Sequence, residues 1–477
     1  MRAAGIAGGT KAAITAITAD SRKVAPGTLF AAIPGARADG RAFIADAVAR
    51  GAAAVLAPAG TTWPTGVPER PMLTTADPRR ALARMAAAFY ETQPKTLIAV
   101  TGTNGKTSTA DFLRQLWALA GSPAASVGTL GLIAPGFPPG PSLTTPDPVA
   151  LHESLAALAL AGIQHAALEA SSHGIEQRRL DGVRLAAAGF SNLTRDHLDY
   201  HGDMAAYRAA KLRLFDTLLP GGAPAGVNAD MAPETLAALR AIAARRHLRL
   251  IEVGEAGREI RLLSHRPLPH GQALEIEAGG VRYPLELALP GRFQADNVLL
   301  ALALAMATGL HNAVALAPRL TGVRGRMERA ATLPNGAAVY VDYAHTPDAL
   351  ERLLAALRPH ARGQLHVLFG AGGDRDPGKR PLMGAVCARL ADVCWVTDDN
   401  PRSEDPALIR AAILAACPGG IEVADRARAI AAAMSALSPG DVLAVAGKGH
   451  ESGQTIAGVT YPFDDADVVR RLAGDAP

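Results

Sequence analysis

Residues 101–109 read TGTNGKTST and follow an apolar run at 97–100. That order of residue types reads as a strand, a glycine-rich turn and a helix starting at Thr107. Backbone N–H groups at a helix N-terminus already point at an incoming anion, so the loop through Thr103 and Asn104 can cradle a phosphate chain. Gly102 and Gly105 let the backbone close without a Cβ in the way. Lys106 adds a mobile positive charge, and the Thr107 hydroxyl can sit on a magnesium ion. The loop is shorter than the usual GxxxxGK[ST] pattern, so the reading rests on its context, a buried strand before it and an alanine-rich helix behind. The chain is expected to bind a nucleoside triphosphate.

Further polar clusters punctuate apolar runs. Glu169 closes the run 166–169, where a carboxylate at a strand tip is suited to magnesium, whose octahedral shell joins protein oxygens to phosphate. Residues 192–202, NLTRDHLDYHG, form the densest polar cluster; with no thiolate nearby, magnesium is a better match than zinc. Lys211 follows on a helix beside Ala206, Ala209 and Ala210, and by physics alone could equally reach out to solvent. Beyond residue 340, DYAHTP, GAGGDRD, DNPR and AGKGHE each terminate a strand-like run. Polar loops at strand ends define a ligand rim in doubly wound sheets. With Arg375, Arg402, Lys448 and Glu451 on it, this rim suits a substrate carrying carboxylates and an ammonium group.

These loops need a framework. At 477 residues the chain should divide into several domains, since one domain holds ~50–200. An apolar content of 49% with dispersed glycine and proline fits a globular chain. The net charge of +4 comes without a Lys/Arg block, so nucleic-acid binding is not expected. Cys387, Cys394 and Cys417 include no CxxC and point to a reducing compartment, the cytoplasm. Lys11 and Asp20 interrupt the N-terminal region, and apolar stretches such as 298–307 fall well short of ~20 residues, so neither a secretion signal nor a membrane span is expected.

Periodicity predicts strands at 28–33, 53–57, 97–100, 124–127, 166–169 and 186–191, with helices at 43–50, 78–90, 108–119, 148–161, 206–219 and 294–308. The last third alternates again: strands at 339–343, 365–369, 393–397, 421–423 and 442–445, helices at 347–357, 380–390, 406–416 and 426–437. The expectation is an α/β protein of three domains, at 1–92, 93–322 and 323–477, the central one a P-loop ATPase-type parallel sheet and the last Rossmann-like.

With these segments in view, the chain resembles the Mur ligases. The resemblance is carried by DSRKVAPGTLF (20–30), TGTNGKT (101–107), EASSHG (169–174), NLTRDHLDYHG (192–202), GRME (325–328), DYAHTPDAL (342–350), GGDRD (372–376), DNPR (399–402) and AGKGHE (446–451). It implies ATP-dependent ligation of meso-2,6-diaminopimelate to UDP-N-acetylmuramoyl-L-alanyl-D-glutamate through an acyl phosphate, by a cytoplasmic monomer in peptidoglycan synthesis. By the same resemblance Ser21, Thr144, Thr145, Ser171, Gln177 and Arg179 meet the UDP-linked substrate. Glu169 and His197 hold magnesium, of which two ions are implied, and Lys211 carries a carbamate derived from carbon dioxide. Asn297, Arg326, Asp342 and His345 serve the nucleotide. Asp399, Asn400, Arg402, Gly447 and Glu451 serve diaminopimelate, with Arg375 on the same rim. Two departures stand out: GPSLTTPD (140–147) replaces a glycine- and threonine-rich stretch, and Gln294 replaces an asparagine. Glu176 has no evident role in sequence. The rivals are an L-lysine-adding ligase, a folylpolyglutamate-type ligase and, outside enzymes, a nucleotide-sensing module.

Overall fold

The computed structural model describes residues 13–35, 38–138, 140 and 143–474. Lys11, and Pro141 and Ser142 of the GPSLTTPD stretch, lie outside them. The chain forms two compact units, Met1–Val253 with Leu300–Ala313, and Gly254–Leu299 with Val314–Pro477.

The first unit opens with a four-stranded parallel sheet ordered Ala16–Thr18, Thr28–Ala31, Ala54–Pro58, Met72–Thr75. Helix Pro78–Tyr90 starts where the Asp77 carboxylate accepts from Arg80 N and a proline occupies the first turn. Its Ala81, Leu82 and Met85 pack on Ile17, Leu29 and Leu56 of the sheet. A second sheet follows, ordered Arg249–Gly254, Pro224–Asn228, Ala187–Phe190, Thr96–Thr101, His165–Glu169, Ala124–Gly128, Gly131–Ile133. All its neighbours here run parallel except the last pair. The phosphate loop and Glu169 therefore leave the C-terminal ends of adjacent central strands, where crossover connections open a crevice. Leu300 and Leu304 lie against Gly189 and Gly226, where an added Cβ would come within 2.8 Å of Leu304 Cδ1 and 3.0 Å of Leu300 Cδ1. The apolar stretch near 300 is thus core.

The second unit carries three antiparallel strands, Ile260–Leu268, Gly271–Ala278 and Val281–Leu287. Its main sheet is ordered Glu328–Thr332, Ala338–Asp342, Val442–Ala446, Leu365–Phe369, Val393–Val396, Ile421–Glu422, parallel but for the first strand. DYAHTP, GAGGDRD, DNPR and AGKGHE all leave C-terminal ends of the parallel strands. The helix expected at 206–219 divides into α-helix Met204–Arg213 and a wider turn, Leu214–Leu218, closed by Leu219 N donating to Leu214 O at 2.9 Å. The wider turn leaves Leu214 and Phe215 both buried. Among the described residues no helix is long and apolar enough to cross a membrane.

One buried histidine makes the first unit acid-sensitive. His152, on helix Pro148–Leu160, is 2% exposed and its Nε2 has no hydrogen-bond partner. Burial, with the Arg184 charge adding to it, pushes its pKa down to about 4. Between pH 6.5 and 4 the unfolded chain takes up a proton that the folded chain refuses. The contribution is therefore complete above pH 6.5 and lost as pH falls towards 4, by up to ~3 kcal/mol. On acidification from pH 6.5 towards 4 the melting temperature of the parent should fall more steeply than that of His152→Leu; parallel pH dependences would rule His152 out as the sensor.

Candidate active site

The phosphate loop is held open from beneath. Gly102 has φ 143° and Gly105 φ 84°, and a Cβ on Gly102 would fall 2.0 Å from Ser191 Oγ. Asn192 braces the loop from the neighbouring strand end: its Oδ1 accepts from Asn104 N at 3.0 Å, and its Nδ2 donates to Asn104 O at 3.2 Å. Thr103 Oγ1 donates to Thr194 O at 3.1 Å and lies 3.2 Å from the Tyr207 hydroxyl. Lys106 Nζ folds back onto Gly102 O at 3.0 Å and Thr103 O at 2.8 Å. The loop is pre-shaped.

Thr107 Oγ1 donates to Glu169 Oε2 at 3.0 Å, so the expected magnesium hydroxyl and carboxylate are in direct contact. Glu169 also accepts from Thr129, through N at 2.7 Å and Oγ1 at 3.2 Å. Through Thr129 the contact continues to Thr144 (Oγ1 to Oγ1, 3.1 Å). Thr145 Oγ1 reaches Glu169 O at 2.8 Å and Ser171 Oγ at 3.1 Å. Arg179 donates to Thr145 O and, at 2.8 Å, to Gln177 Oε1. Five of the six residues expected at the UDP-linked substrate thus form one connected surface ending at Glu169. Ser21 stands on the small sheet instead, in the turn Ser21–Lys23, beside a bidentate Asp20–Arg22 pair at 2.8 and 2.9 Å. That pair holds Asp20 down to about 2.

Lys211 does not reach solvent. It is 1% exposed, its Nζ donates to Gly102 O at 2.7 Å, and it lies 4.6 Å from the Tyr207 ring centroid. Burial, reinforced by the Lys106 charge, drives its pKa well below that of an ordinary lysine. His197, in the left-handed region at φ 52°, is exposed and stands 6.1 Å from the Tyr207 ring. It belongs to a stack in which His173 lies 5.0 Å from His197 and 4.0 Å from Tyr200. Glu176 acquires a partner here: its carboxylate lies 3.3 Å from His201 Nδ1, whose Nε2 meets Ser172 Oγ at 2.9 Å. Among the described residues no group of three or more His, Cys, Asp or Glu side chains could hold a metal alone. One carboxylate and one hydroxyl beside a phosphate loop still fit magnesium, which keeps several waters and takes its remaining oxygens from phosphate.

In the second unit Asp342 ends its strand with both oxygens occupied, accepting from Met327 N at 2.7 Å and Ala344 N at 2.8 Å. Desolvation pushes its carboxyl upward. Arg326 lies over Tyr343 at 4.9 Å with a buried Nε lacking a partner, and His345 Nδ1 is 2.8 Å from Tyr343 O. Gln294 Nε2 reaches Arg326 O at 3.4 Å and Gln294 Oε1 accepts from Asn297 Nδ2 at 3.2 Å, so the longer amide joins two expected nucleotide residues.

The rim expected to receive the amino acid is a second cluster. Asn400 Nδ2 donates to Glu451 Oε2 at 3.0 Å and lies 3.4 Å from Asp399 Oδ1. Gly447 has φ 120°, a backbone conformation that side-chain-bearing residues rarely adopt, and a Cβ there would be in ordinary contact with Asp399 Oδ2 at 3.4 Å. Arg402 has φ 53°, and its Nη1 donates to Gly373 O at 2.6 Å. Arg375 is exposed on the neighbouring loop. Lys448 corrects the sequence reading: it has 0% exposure and cannot grip a substrate from the rim. Thr129, Asn192 and Tyr207 were missed as site residues. Thr129 directly follows strand Ala124–Gly128, Asn192 opens the NLTRDHLDYHG cluster, and Tyr207 lies beyond that cluster on helix Met204–Arg213, one turn before Lys211.

A phosphate loop joined to a carboxylate, with a separate carboxylate-and-guanidinium rim, defines a nucleotide-dependent ligase of carboxylic acids and amines. Sequence-family comparison matches "Mur ligase family, catalytic domain" over residues 13–90, "Mur ligase middle domain" over 100–305 and "Mur ligase, glutamate ligase domain" over 325–449. The UDP-N-acetylmuramoyl-L-alanyl-D-glutamate–2,6-diaminopimelate ligase of Caulobacter vibrioides is 56% identical, across 98% of this chain and 96% of its own. The enzyme of the same name from Mesorhizobium japonicum is 54% identical, across 96% and 94%. A solved structure of a ligase of that name is 33% identical with a TM-score of 0.70, covering 97% of this chain and 95% of its own. The chain belongs to the Mur ligase family.

Proposed function

We propose that this chain ligates meso-2,6-diaminopimelate to UDP-N-acetylmuramoyl-L-alanyl-D-glutamate at the expense of ATP, in peptidoglycan precursor synthesis. The observation that carries the reading is full-length identity of 56% to a ligase of that name, in a chain whose Asp399, Asn400, Arg402 and Glu451 share one rim. Chemically, the terminal carboxylate of the UDP-linked dipeptide attacks the γ-phosphoryl group of ATP, the bond to the β-phosphate breaks, and ADP leaves, giving an acyl phosphate. The free amine of diaminopimelate then attacks that carbonyl, a tetrahedral intermediate forms, and phosphate leaves.

Phosphoryl transfer needs alignment and charge neutralisation more than covalent chemistry. The loop N–H groups and Lys106 would hold the phosphates, while Thr145, Ser171, Gln177 and Arg179 orient the UDP-linked substrate. Ser21 would meet the uridine portion. Thr107, Glu169, His197 and Lys211 would supply the oxygen and nitrogen ligands of two magnesium ions, Lys211 as a carbamate. Bound there, magnesium would neutralise charge on the transferring phosphoryl group. Asn297, Arg326, Asp342 and His345 would serve the nucleotide, and the rim with Arg375 and Gly447 would hold the amino acid. Domain limits at 1–92, 93–322 and 323–477, a cytoplasmic setting and a monomer as the working unit belong to the same proposal.

Phosphate release measured with diaminopimelate, L-lysine, or a folate with glutamate discriminates the rivals. Release that depends on diaminopimelate is expected, and equal rates with lysine would sink the specificity. Glu169→Gln removes the charge next to Thr107 while keeping the shape. Turnover should fall by about 100-fold or more, partly recovered by raised magnesium, with binding of the UDP-linked substrate unchanged. A variant with parental turnover would take Glu169 out of the metal site.

A further inference from the structure

Lys448 is the most completely buried amine in the second unit, and the reaction just proposed leaves it without a task. Its Nζ donates to Asn400 Oδ1 at 3.0 Å and to Gly453 O at 2.8 Å. It also lies 3.5 Å from Asp399 Oδ1 and 3.9 Å from Glu451 Oε2. Asn400 Oδ1 receives a second donor, Thr455 N at 2.9 Å. An asparagine amide can sit either way round, and its neighbours decide which. Two donors on one side fix the oxygen there. The Nδ2 group is therefore turned towards the carboxylates, reaching Glu451 Oε2 at 3.0 Å.

We propose that Lys448 is a positioning residue that selects the amino acid through Asn400. Resting on the diaminopimelate reading, it deepens that reading by naming what orients the rim. Lys448 does two things at once. It locks the amide so that Nδ2 holds one oxygen of Glu451, and its charge lets Asp399 and Glu451 stand near each other as anions. Glu451 keeps part of its surface open, 36% of the side chain, and so retains capacity for the ammonium group of the incoming amino acid. A lysine at the rim would instead repel that ammonium group. Burial under the rim keeps the charge where it steadies the carboxylates without competing for them. Beneath lies a further support, Arg426, whose Nη2 donates to Asp465 Oδ2 at 2.7 Å and to Ala446 O at 3.0 Å, just before the AGKGHE loop.

Lys448→Met keeps the length and removes the donor and charge. Steady-state phosphate release by the full chain should show the Michaelis constant for diaminopimelate raised about tenfold or more, with those for ATP and the UDP-linked substrate within about twofold. Because Lys448 acts through Asn400, the double variant with Asn400→Ala should be no worse for diaminopimelate than Asn400→Ala alone. Lys448→Gln, which restores a neutral donor, should recover part of the loss, and it replaces the methionine variant if that one does not melt cooperatively. Additive effects of Lys448 and Asn400, or equal losses for all three substrates, would reduce Lys448 to a packing residue and overturn the proposal. If the parent chain itself shows no release dependent on diaminopimelate, the substrate reading fails, an outcome separate from any behaviour of the variants.

Discussion

Lys211→Ala is expected to abolish ligation while leaving the binding of the UDP-linked substrate almost intact. Lys211 and Lys106 donate to the same carbonyl, Gly102 O, at 2.7 and 3.0 Å. Burial makes a charge on Lys211 costly, and the neighbouring Lys106 ammonium adds to that cost. The sign follows: the folded chain keeps this amine neutral at a pH where an exposed lysine is charged. A neutral amine is the form that adds carbon dioxide. The resulting carbamate would change the local electrostatics, putting an anion attracted to Lys106 and able to ligate magnesium where a neutral amine stood. Turnover in the alanine variant should drop by at least about a thousandfold, or ~4 kcal/mol in the barrier. A small added carboxylate should restore part of it by occupying the missing anion's place. Depleting bicarbonate should slow the parent reversibly. Parental turnover in the variant would remove the carbamate from the mechanism.

Much of this arrangement was legible because its signals are local. The strand before TGTNGKTST, the buried strand ending at Glu169 and the alternation after residue 338 are written in short windows of sequence, and each lies within a few residues of its expected limits. The antiparallel strands between residues 260 and 287 were not anticipated, although Gly279 and Gly280, both at positive φ, form a hairpin turn between alternating runs. The alternation there is strict, with Glu275 and Glu277 less buried between the buried Leu274, Ile276 and Ala278, but Pro284, a residue that argues against a strand in sequence, sits within the next strand opposite Glu275. Side-chain partnerships were harder still. Sequence alone left Lys211 equally free to be exposed, since only the distant Gly102 carbonyl and Tyr207 ring show it to be enclosed. Lys448 was placed on the rim by its neighbours in sequence, yet its backbone turns at Gly447 and Gly449, φ 120° and 56°, and the side chain runs inward. Glu176 gained meaning only when His201, from another motif, came beside it.

The second large effect is expected at Arg402. Pro401 disfavours a helical Asn400, and Arg402 itself takes φ 53°, a conformation costly for a residue with a Cβ. The surrounding backbone over-determines it: Arg402 N donates to Thr455 O at 3.0 Å, and Ala457 N donates to Arg402 O at 2.6 Å. On the side chain, the bond from Nη1 to Gly373 O at 2.6 Å fixes the plane of the guanidinium, and Gly372 allows the approach because a Cβ there would lie 2.9 Å from Nη1. A strained backbone and an oriented planar cation, at a rim that already contains Asp399 and Glu451, would suit the second carboxylate that distinguishes diaminopimelate from lysine. The guanidinium has further N–H donors beyond the one on Gly373, enough for a paired contact with a carboxylate. Arg402→Ala should weaken diaminopimelate binding by on the order of 2–5 kcal/mol, partly because the substrate carboxylate is left without its partner. Arg402→Lys keeps the charge but loses the fork, so it should bind less tightly and discriminate less against L-lysine. Michaelis constants for ATP and for the UDP-linked substrate should hardly move, because Arg402 lies on the amino-acid rim. An alanine variant with the parental Michaelis constant for diaminopimelate and unchanged discrimination would show that specificity resides elsewhere on that rim, and the substrate assignment would lose its main local support.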